Sequence, residues 1–344
     1  MSIAVVVPLY NGEKWVGEAL DSVFAQELLP EEIIVVDDGS TDGSARIVRG
    51  YADVTLLRND GDGSSNARNR GTRVASADLI AFLDQDDLWH PSHLRLLADA
   101  LGAQPEAGAA ISDAATFQTG VPDYEPQPAG IDLVDPWRRY PFTIGVDGPS
   151  LCLVRRDALD TIGHWEECAT GMGDALLFLK LAAINPLARV RAKTVGKRIH
   201  DSQQWLQVRE LGTAYLEFRY EVMERALAFR SHYSPDDPNL GLHAGRLESL
   251  RVLRDLTGTM LSQDWTALPE QALKLEEQVV GEDEEYVRQA FYCLMGALFK
   301  THDAAELRAL RDQTFGRALP VWPEEAVATR ACLRDLIGEM PRVS

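Results

Sequence analysis

The sequence predicts an α/β fold: a doubly wound, mostly parallel sheet flanked by helices, followed by an all-α segment. Three observations carry this. Apolar runs rich in β-branched residues recur within the first ninety residues, at Ile3–Val7, Glu32–Val36 and Leu79–Leu83, as in strands buried on both faces. Stretches of helical spacing lie between them, so the order is β-α-β-α-β-α-β, which right-handed crossovers wind into a parallel sheet. From Gln204 onward the strand pattern stops and helical periodicity takes over.

Taken in order, Ile3–Val7 is stopped by Pro8, and Asn11-Gly12 turns the chain. The helix expected within Glu13–Gln26 puts Trp15, Val16, Ala19, Leu20, Val23 and Phe24 at helical spacing. The second strand ends in Asp37-Asp38-Gly39-Ser40, and a helix over Thr41–Gly50 would take Ser40 or Thr41 as its N-cap. Asp53–Arg58 is a third strand, residues 59–65 a loop by composition, and Asn66–Ala75 a helix. The Leu79–Leu83 strand runs into Asp84, Asp86 and Asp87, then Trp89 and Pro91. Further on, Ser92–Leu101 reads as a helix, Ala107–Ser112 and Ser150–Arg155 as strands, Asp157–Ile162 as a short helix and Ala175–Ile184 as an apolar one. Gln118–Tyr140 reads as a long loop bearing Trp137 and Tyr140. Six amphipathic helices are expected beyond it: Trp205–Phe229, Leu240–Leu261, Pro269–Val280, Glu284–Phe299, Ala304–Phe315 and Glu324–Met340, as an α-bundle or a stack of helix pairs.

Bulk properties narrow the function. A chain of 344 residues, 45% hydrophobic and 25% charged, has room for two domains. Its formal net charge of −19 argues against a nucleic acid or an anionic membrane as partner. Such a charge suits an anionic ligand handled locally by a divalent cation. The four cysteines are scattered with no CxxC pair, so zinc and redox chemistry are disfavoured and a reduced, cytoplasmic setting is expected. The N-terminus lacks the basic leader of a signal peptide, and no apolar run approaches the roughly 20 residues that span a bilayer.

Acids delivered at the carboxyl end of a buried strand are the expected design for an oxygen-ligand metal site. The alternative is a solvated acidic turn, with Asp87 capping the next helix. The first βα turn, Pro8–Gly12, holds a single glycine, and neither GxGxxG nor GxxxxGK[ST] occurs in the chain. A bound diphosphate would therefore need something other than a backbone cradle, and a cation is the natural substitute. Asp174, at the start of an apolar helix, suits either a general base or an N-cap.

The segments VVVPLYNG, IIVVDDGSTDGS, SNARNRG and LIAFLDQDDLWHP, in this order within about the first 95 residues, resemble the inverting glycosyltransferases of family 2, with the GT-A fold. The resemblance implies that Pro8 and Tyr10 border a nucleoside, that Asp38 hydrogen-bonds a uracil edge and that Arg68 lies by the donor pocket. It assigns Asp84-Gln85-Asp86 to the family's DxD element, with Asp84 facing the ribose or sugar and Asp86 ligating the metal. Gly173-Asp174 falls where the family commonly has Glu-Asp, which makes Asp174 the base and leaves Glu166 and Glu167 as rivals. VGKRIHDSQ resembles the segment that closes the site, with His200 completing the metal and diphosphate contacts and Lys197 and Arg198 as candidate cations for the leaving group. The residues alone also allow plainer roles: Tyr10 as a packing aromatic, Asp38 and Ser40 as an Asx-turn and cap, Arg68 as a solvated helix residue. The Gln118–Tyr140 loop is either a sugar-stacking platform or a surface loop with a packed Trp.

The expectation is thus a Mn²⁺- or Mg²⁺-dependent inverting transferase. Residues 1–203 would form the catalytic domain, donor half to about 95 and acceptor half from about 96, and residues 204–344 a helical domain. It would move a sugar from a nucleotide-diphosphate sugar, a UDP-sugar first, to the hydroxyl of a glycan, lipid, peptide or small molecule. The helical domain would serve dimerisation or acceptor recognition. Two alternatives are a sugar-nucleotide nucleotidyltransferase, which wants a glycine-rich first turn, and a non-catalytic carbohydrate- or sugar-nucleotide-binding protein, which a donor-hydrolysis assay would separate.

Overall fold

The computed structural model describes residues 1–59, 61, 63–138, 148–166, 173–200 and 213–261. The chain divides into two compact units. The first holds all the described strands: β1 (Ile3–Leu9), β2 (Glu32–Asp37), β3 (Val54–Arg58), β4 (Leu79–Phe82), β5 (Leu88–Trp89), β6 (Ala109–Phe117), β7 (Ile131–Val134), β8 (Cys152–Arg155) and β9 (Leu187–Arg198). Six helices accompany them: α1 (Val16–Phe24), α2 (Ser44–Val48), α3 (Ser64–Val74), α4 (His93–Ala103), α5 (Arg156–Ile162) and α6 (Gly173–Ile184). The sheet runs β3-β2-β1-β4-β8-β6-β9-β5, and β7 pairs with β9 beside that path.

The four N-terminal strands are parallel throughout, with Val5 between Ile33 and Ala81. Every residue of β1 and β4 is buried, the burial on both faces that their unbroken apolar runs anticipate. Helix α1 buries Val16, Ala19, Leu20 and Val23 against the sheet side of its surface. Helix α3 comes so close to β1 and β2 that a Cβ on Gly71 would lie 2.4 Å from Val6 Cγ1 and 3.3 Å from Val36 Cγ2. Beyond β4 the sheet becomes mixed: β8 is antiparallel to both β4 and β6, while β6 and β9 are parallel.

Three expectations change. Helix α2 starts at Ser44 after Gly43, without a side-chain cap, because Ser40 and Thr41 are engaged with Asn11 instead. The stretch expected as one long loop contains β7 and a single 3-10 turn at Pro136–Arg138. Its Trp137 is fully buried and donates its indole N–H to Leu179 O at 2.9 Å, so it is core and not a stacking platform; Tyr140 lies outside the described residues. Strand β9 is twelve residues long, of which the sequence reading had taken only the end, as the segment closing the site.

In the second unit the described residues form two helices, α7 (Thr213–Tyr233) and α8 (Leu240–Leu261), separated by a turn where Arg230 Nε pairs with Asp237 Oδ2 at 2.5 Å. Val222, Met223, Ala226, Leu250 and Val252 are buried there. The four helices expected beyond Pro269 lie outside the described residues. Among the described residues no helix is long and apolar enough to cross a membrane.

Candidate active site

The carboxyl ends of β1, β2 and β4 form one rim. The turns after β1 and β2 are laced by reciprocal side-chain-to-backbone hydrogen bonds. Asn11 N–H donates to Ser40 Oγ (3.0 Å), Gly12 N–H to Ser44 Oγ (2.9 Å) and Glu13 N–H to Asp42 Oδ2 (3.1 Å). In return Thr41 N–H donates to Asn11 Oδ1 (2.9 Å) and Gly43 N–H to Glu13 Oε2 (2.7 Å). Asn11 adopts φ +48°, a left-handed conformation that asparagine tolerates better than most residues.

Pro8 is buried within β1, and Tyr10 follows it with 58% of its surface exposed, so it is not a packing aromatic. Gln85 ties that turn to the end of β4: its amide N–H donates to Tyr10 O (3.0 Å) and its Oε1 accepts Tyr10 N–H (2.8 Å). Gly12 leaves room for this, since a Cβ there would sit 2.5 Å from Gln85 Oε1. Asp38 is buried and accepts Asn59 Nδ2–H (2.7 Å) and Gly63 N–H (2.8 Å). The Asx-type bond to Ser40 N–H comes from Asp37 instead (2.9 Å).

The acidic turn fans its side chains three ways. Asp84 forms an ion pair with Arg68 at 2.7 Å; Arg68 is buried rather than solvated, and its guanidinium lies 4.6 Å from the Trp165 ring centre. Asp86 Oδ2 meets His200 Nε2 at 2.8 Å, and the imidazole stacks on Trp15 with ring centres 4.1 Å apart. Burial, together with the neighbouring Asp84, raises the Asp86 carboxyl above the usual range. Asp87 does not cap a helix. It is buried, accepts Ser150 Oγ–H (2.7 Å) and Arg198 N–H (3.2 Å), and burial pushes it up to about 8.

Asp174 stands in the first turn of α6 and accepts the Ala175 N–H at 2.8 Å. Gly173 packs against α3, where a Cβ would lie 2.9 Å from Ser65 Oγ, one turn from Arg68. Burial raises the Asp174 carboxyl, while Lys197 and Arg68 act to lower it and Asp84 to raise it. Asp174 and the Arg68–Asp84 ion pair therefore share one electrostatic neighbourhood. Glu166 is ion-paired with Lys180 at 2.6 Å, and Glu167 lies outside the described residues.

Arg198 is turned inward. Its guanidinium bonds Asp86 O (3.0 Å) and Glu18 Oε2 (2.6 Å) and lies 4.6 Å from the Phe117 ring centre, so it is built into the site's frame and does not face a leaving group. Trp15, Glu18 and Ser150 escaped the sequence reading as site residues. An aromatic just before α1 was the available signal for Trp15; an exposed helical glutamate and a serine at the start of an expected strand offered none.

Residues 4–163 match the sequence model of Glycosyl transferase family 2. This part of the chain is a family 2 glycosyltransferase domain. Over 94 residues the chain is 39% identical to the uncharacterized glycosyltransferase YibD of Escherichia coli, covering 26% of this chain and 27% of that protein. Over 139 residues it is 36% identical to the succinoglycan biosynthesis protein ExoW of Rhizobium meliloti, covering 36% of this chain and 42% of that one. The aligned part thus spans between about a quarter and two-fifths of these relatives. In fold it is similar to S. aureus TarS 1-349 solved with UDP-GlcNAc, at 18% identity, TM-score 0.61 and 93% coverage of both chains. The described sheet is accordingly GT-A-like, and in the family 2 domain the Asp84-Gln85-Asp86 element sits at the end of β4, on the rim where ligands bind in open α/β sheets.

Proposed function

We propose that the protein is a divalent-metal-dependent inverting glycosyltransferase that uses a nucleotide-diphosphate sugar, with UDP as the first nucleotide to test. The convergence of Asp86 and His200 at 2.8 Å, beside the Arg68–Asp84 pair, is the observation that supports this most. Among the described residues no group of three or more metal-ligating side chains occurs. One carboxylate and one imidazole suit an ion that takes its remaining ligands from diphosphate and water. Asp86 and His200 would hold it, and it would offset charge on the departing phosphates.

The chain's own groups supply the rest. Tyr10, fixed through its backbone by Gln85, borders the base together with Pro8, and Asp38 hydrogen-bonds the base edge. Arg68 orients Asp84 toward the ribose or sugar. Asp174 accepts the acceptor hydroxyl's proton as that oxygen attacks the anomeric carbon opposite the leaving group, and a carboxyl raised by burial is a better base than a solvated one. One displacement inverts the stereochemistry with no enzyme nucleophile. Residues 1–203 form the catalytic domain in this reading, and the helical domain from 204 onward serves acceptor recognition or dimerisation.

The test pairs binding with turnover. Thermal shift with a panel of nucleotide sugars, with and without Mn²⁺, identifies the donor, since a ligand bound to the folded state stabilises it. Asp174→Asn should then abolish transfer while donor affinity stays within about twofold, and Asp86→Ala should remove the Mn²⁺ dependence of donor binding. Wild-type turnover by Asp174→Asn would refute the base assignment, and unchanged Mn²⁺ dependence in Asp86→Ala the ligand assignment.

A further inference from the structure

Asp86 and His200 are 114 residues apart in sequence and sit on different elements, so something must hold their side chains at ligating distance. The antiparallel β5–β9 ladder has its last rung at Leu88↔Gly196, short of both residues. Beyond that rung, side chains continue the pairing. Arg198 Nε–H donates to the carbonyl of Asp86 (3.0 Å), and the Asp87 carboxylate accepts the backbone N–H of Arg198 (3.2 Å). The Arg198 side chain thus grips the main chain of Asp86 itself, while the Asp87 side chain grips the main chain of Arg198, two residues from His200.

The grip is anchored on three sides. Arg198 is 7% exposed, its guanidinium lies against the Phe117 ring, and Nη2 reaches Glu18 Oε2 at 2.6 Å. Glu18 is one turn along α1 from Trp15, whose ring stacks on His200. On the other side, Ser150 Oγ donates to Asp87 Oδ2 (2.7 Å) and accepts Asp84 N–H (3.0 Å), so one hydroxyl steadies both ends of the acidic turn.

We propose that Arg198 and Asp87 are positioning residues, a reciprocal clamp that sets the Asp86–His200 separation, with Glu18 and Trp15 bracing it from α1. This rests on the reading of Asp86 and His200 as metal ligands. It makes two buried side chains responsible for metal affinity without contact with metal, nucleotide or acceptor. A planar fork is required at Arg198, because one donor goes to a carbonyl and another to a carboxylate; a lysine ammonium on a flexible stem does not reproduce that geometry.

The test uses the full chain and Mn²⁺ as the probe, titrated calorimetrically with UDP present, and the Mn²⁺ concentration for half-maximal donor hydrolysis. Arg198→Lys and Asp87→Asn should each weaken Mn²⁺ binding about tenfold or more, the usual cost of losing an outer-sphere partner. Excess Mn²⁺ should restore most of kcat, which a variant damaged only in its fold would not show. Glu18→Gln, at a helix surface, should weaken binding less and carries the test if either buried variant fails to fold. Folded variants that bind Mn²⁺ within about twofold of wild type would overturn the clamp while leaving the metal reading intact. A wild-type protein that binds no Mn²⁺ with UDP would overturn the metal reading itself, and the clamp with it.

Discussion

Acidification should destabilise the first unit through His93, a buried residue of α4. The side chain is fully buried, stacks on Trp89 with ring centres 4.7 Å apart and bonds Thr194 Oγ1 through Nδ1 at 2.7 Å. Its Nε2 has no hydrogen-bond partner among the described residues, so a second ring proton would be buried without an acceptor. Burial accordingly lowers its pKa from 6.5 to about 3. In the unfolded chain the imidazole protonates near 6.5, whereas the folded protein refuses that proton. Stability from this group is therefore complete above pH 6.5 and lost as the pH falls from there toward about 3. At pH 5 the loss is about 2 kcal/mol, from roughly 1.4 kcal/mol for each pH unit below the unfolded value. The assay is urea unfolding of wild type and His93→Gln at pH 7 and pH 5, since glutamine does not ionise and can still reach Thr194. Distant histidines titrate in both proteins and cancel in the comparison, while His90, whose charge opposes protonation of His93, acts in the same direction as burial. Wild type should lose about 2 kcal/mol more than the variant on moving to pH 5. A difference independent of pH would show that His93 is protonated in the fold, and the burial argument would fail.

Two further outcomes follow from the packing of the rim. Gly71→Ala should lower stability by about 1–3 kcal/mol despite its gain in helix propensity, because the new methyl would meet Val6 at 2.4 Å; a raised melting temperature would contradict the close approach of α3 to β1. Gln85→Ala removes both bonds to the Tyr10 backbone, each worth about 1 kcal/mol, and should raise KM for the donor up to about tenfold with kcat nearly unchanged. A fall in kcat at constant KM would place Gln85 in the chemistry instead.

The N-terminal half was legible because central parallel strands bury both faces, so β1, β2 and β4 announce themselves as unbroken apolar runs. Strand β9 did not, since LARVRAKTVGKR interleaves arginines and lysines with its buried residues, and several of these cations reach neighbouring carboxylates, as Arg189 does Asp113 and Lys193 does Glu125. Trp137 stayed open between two readings for a related reason: Pro, Gly and Asp around it describe the local chain, while its burial is decided by α6, some forty residues later. The family resemblance brought Asp86 and His200 together, but not Asp84 with Arg68 or Asp87 with Ser150, because those partners come from other parts of the chain. Arg198 is the clearest case, with its Glu18 partner 180 residues away.

Under the proposed function, the lacing of the turns after β1 and β2 has a bearing on how donors are told apart. Each loop holds the other's main chain, so neither can reshape itself around an incoming base without breaking bonds to both. The ordering entropy of this wall is spent when the polypeptide folds, and little remains to be lost on binding. A rigid wall discriminates by shape and by hydrogen bonds already in place, and a mismatched base meets a surface that does not yield to it.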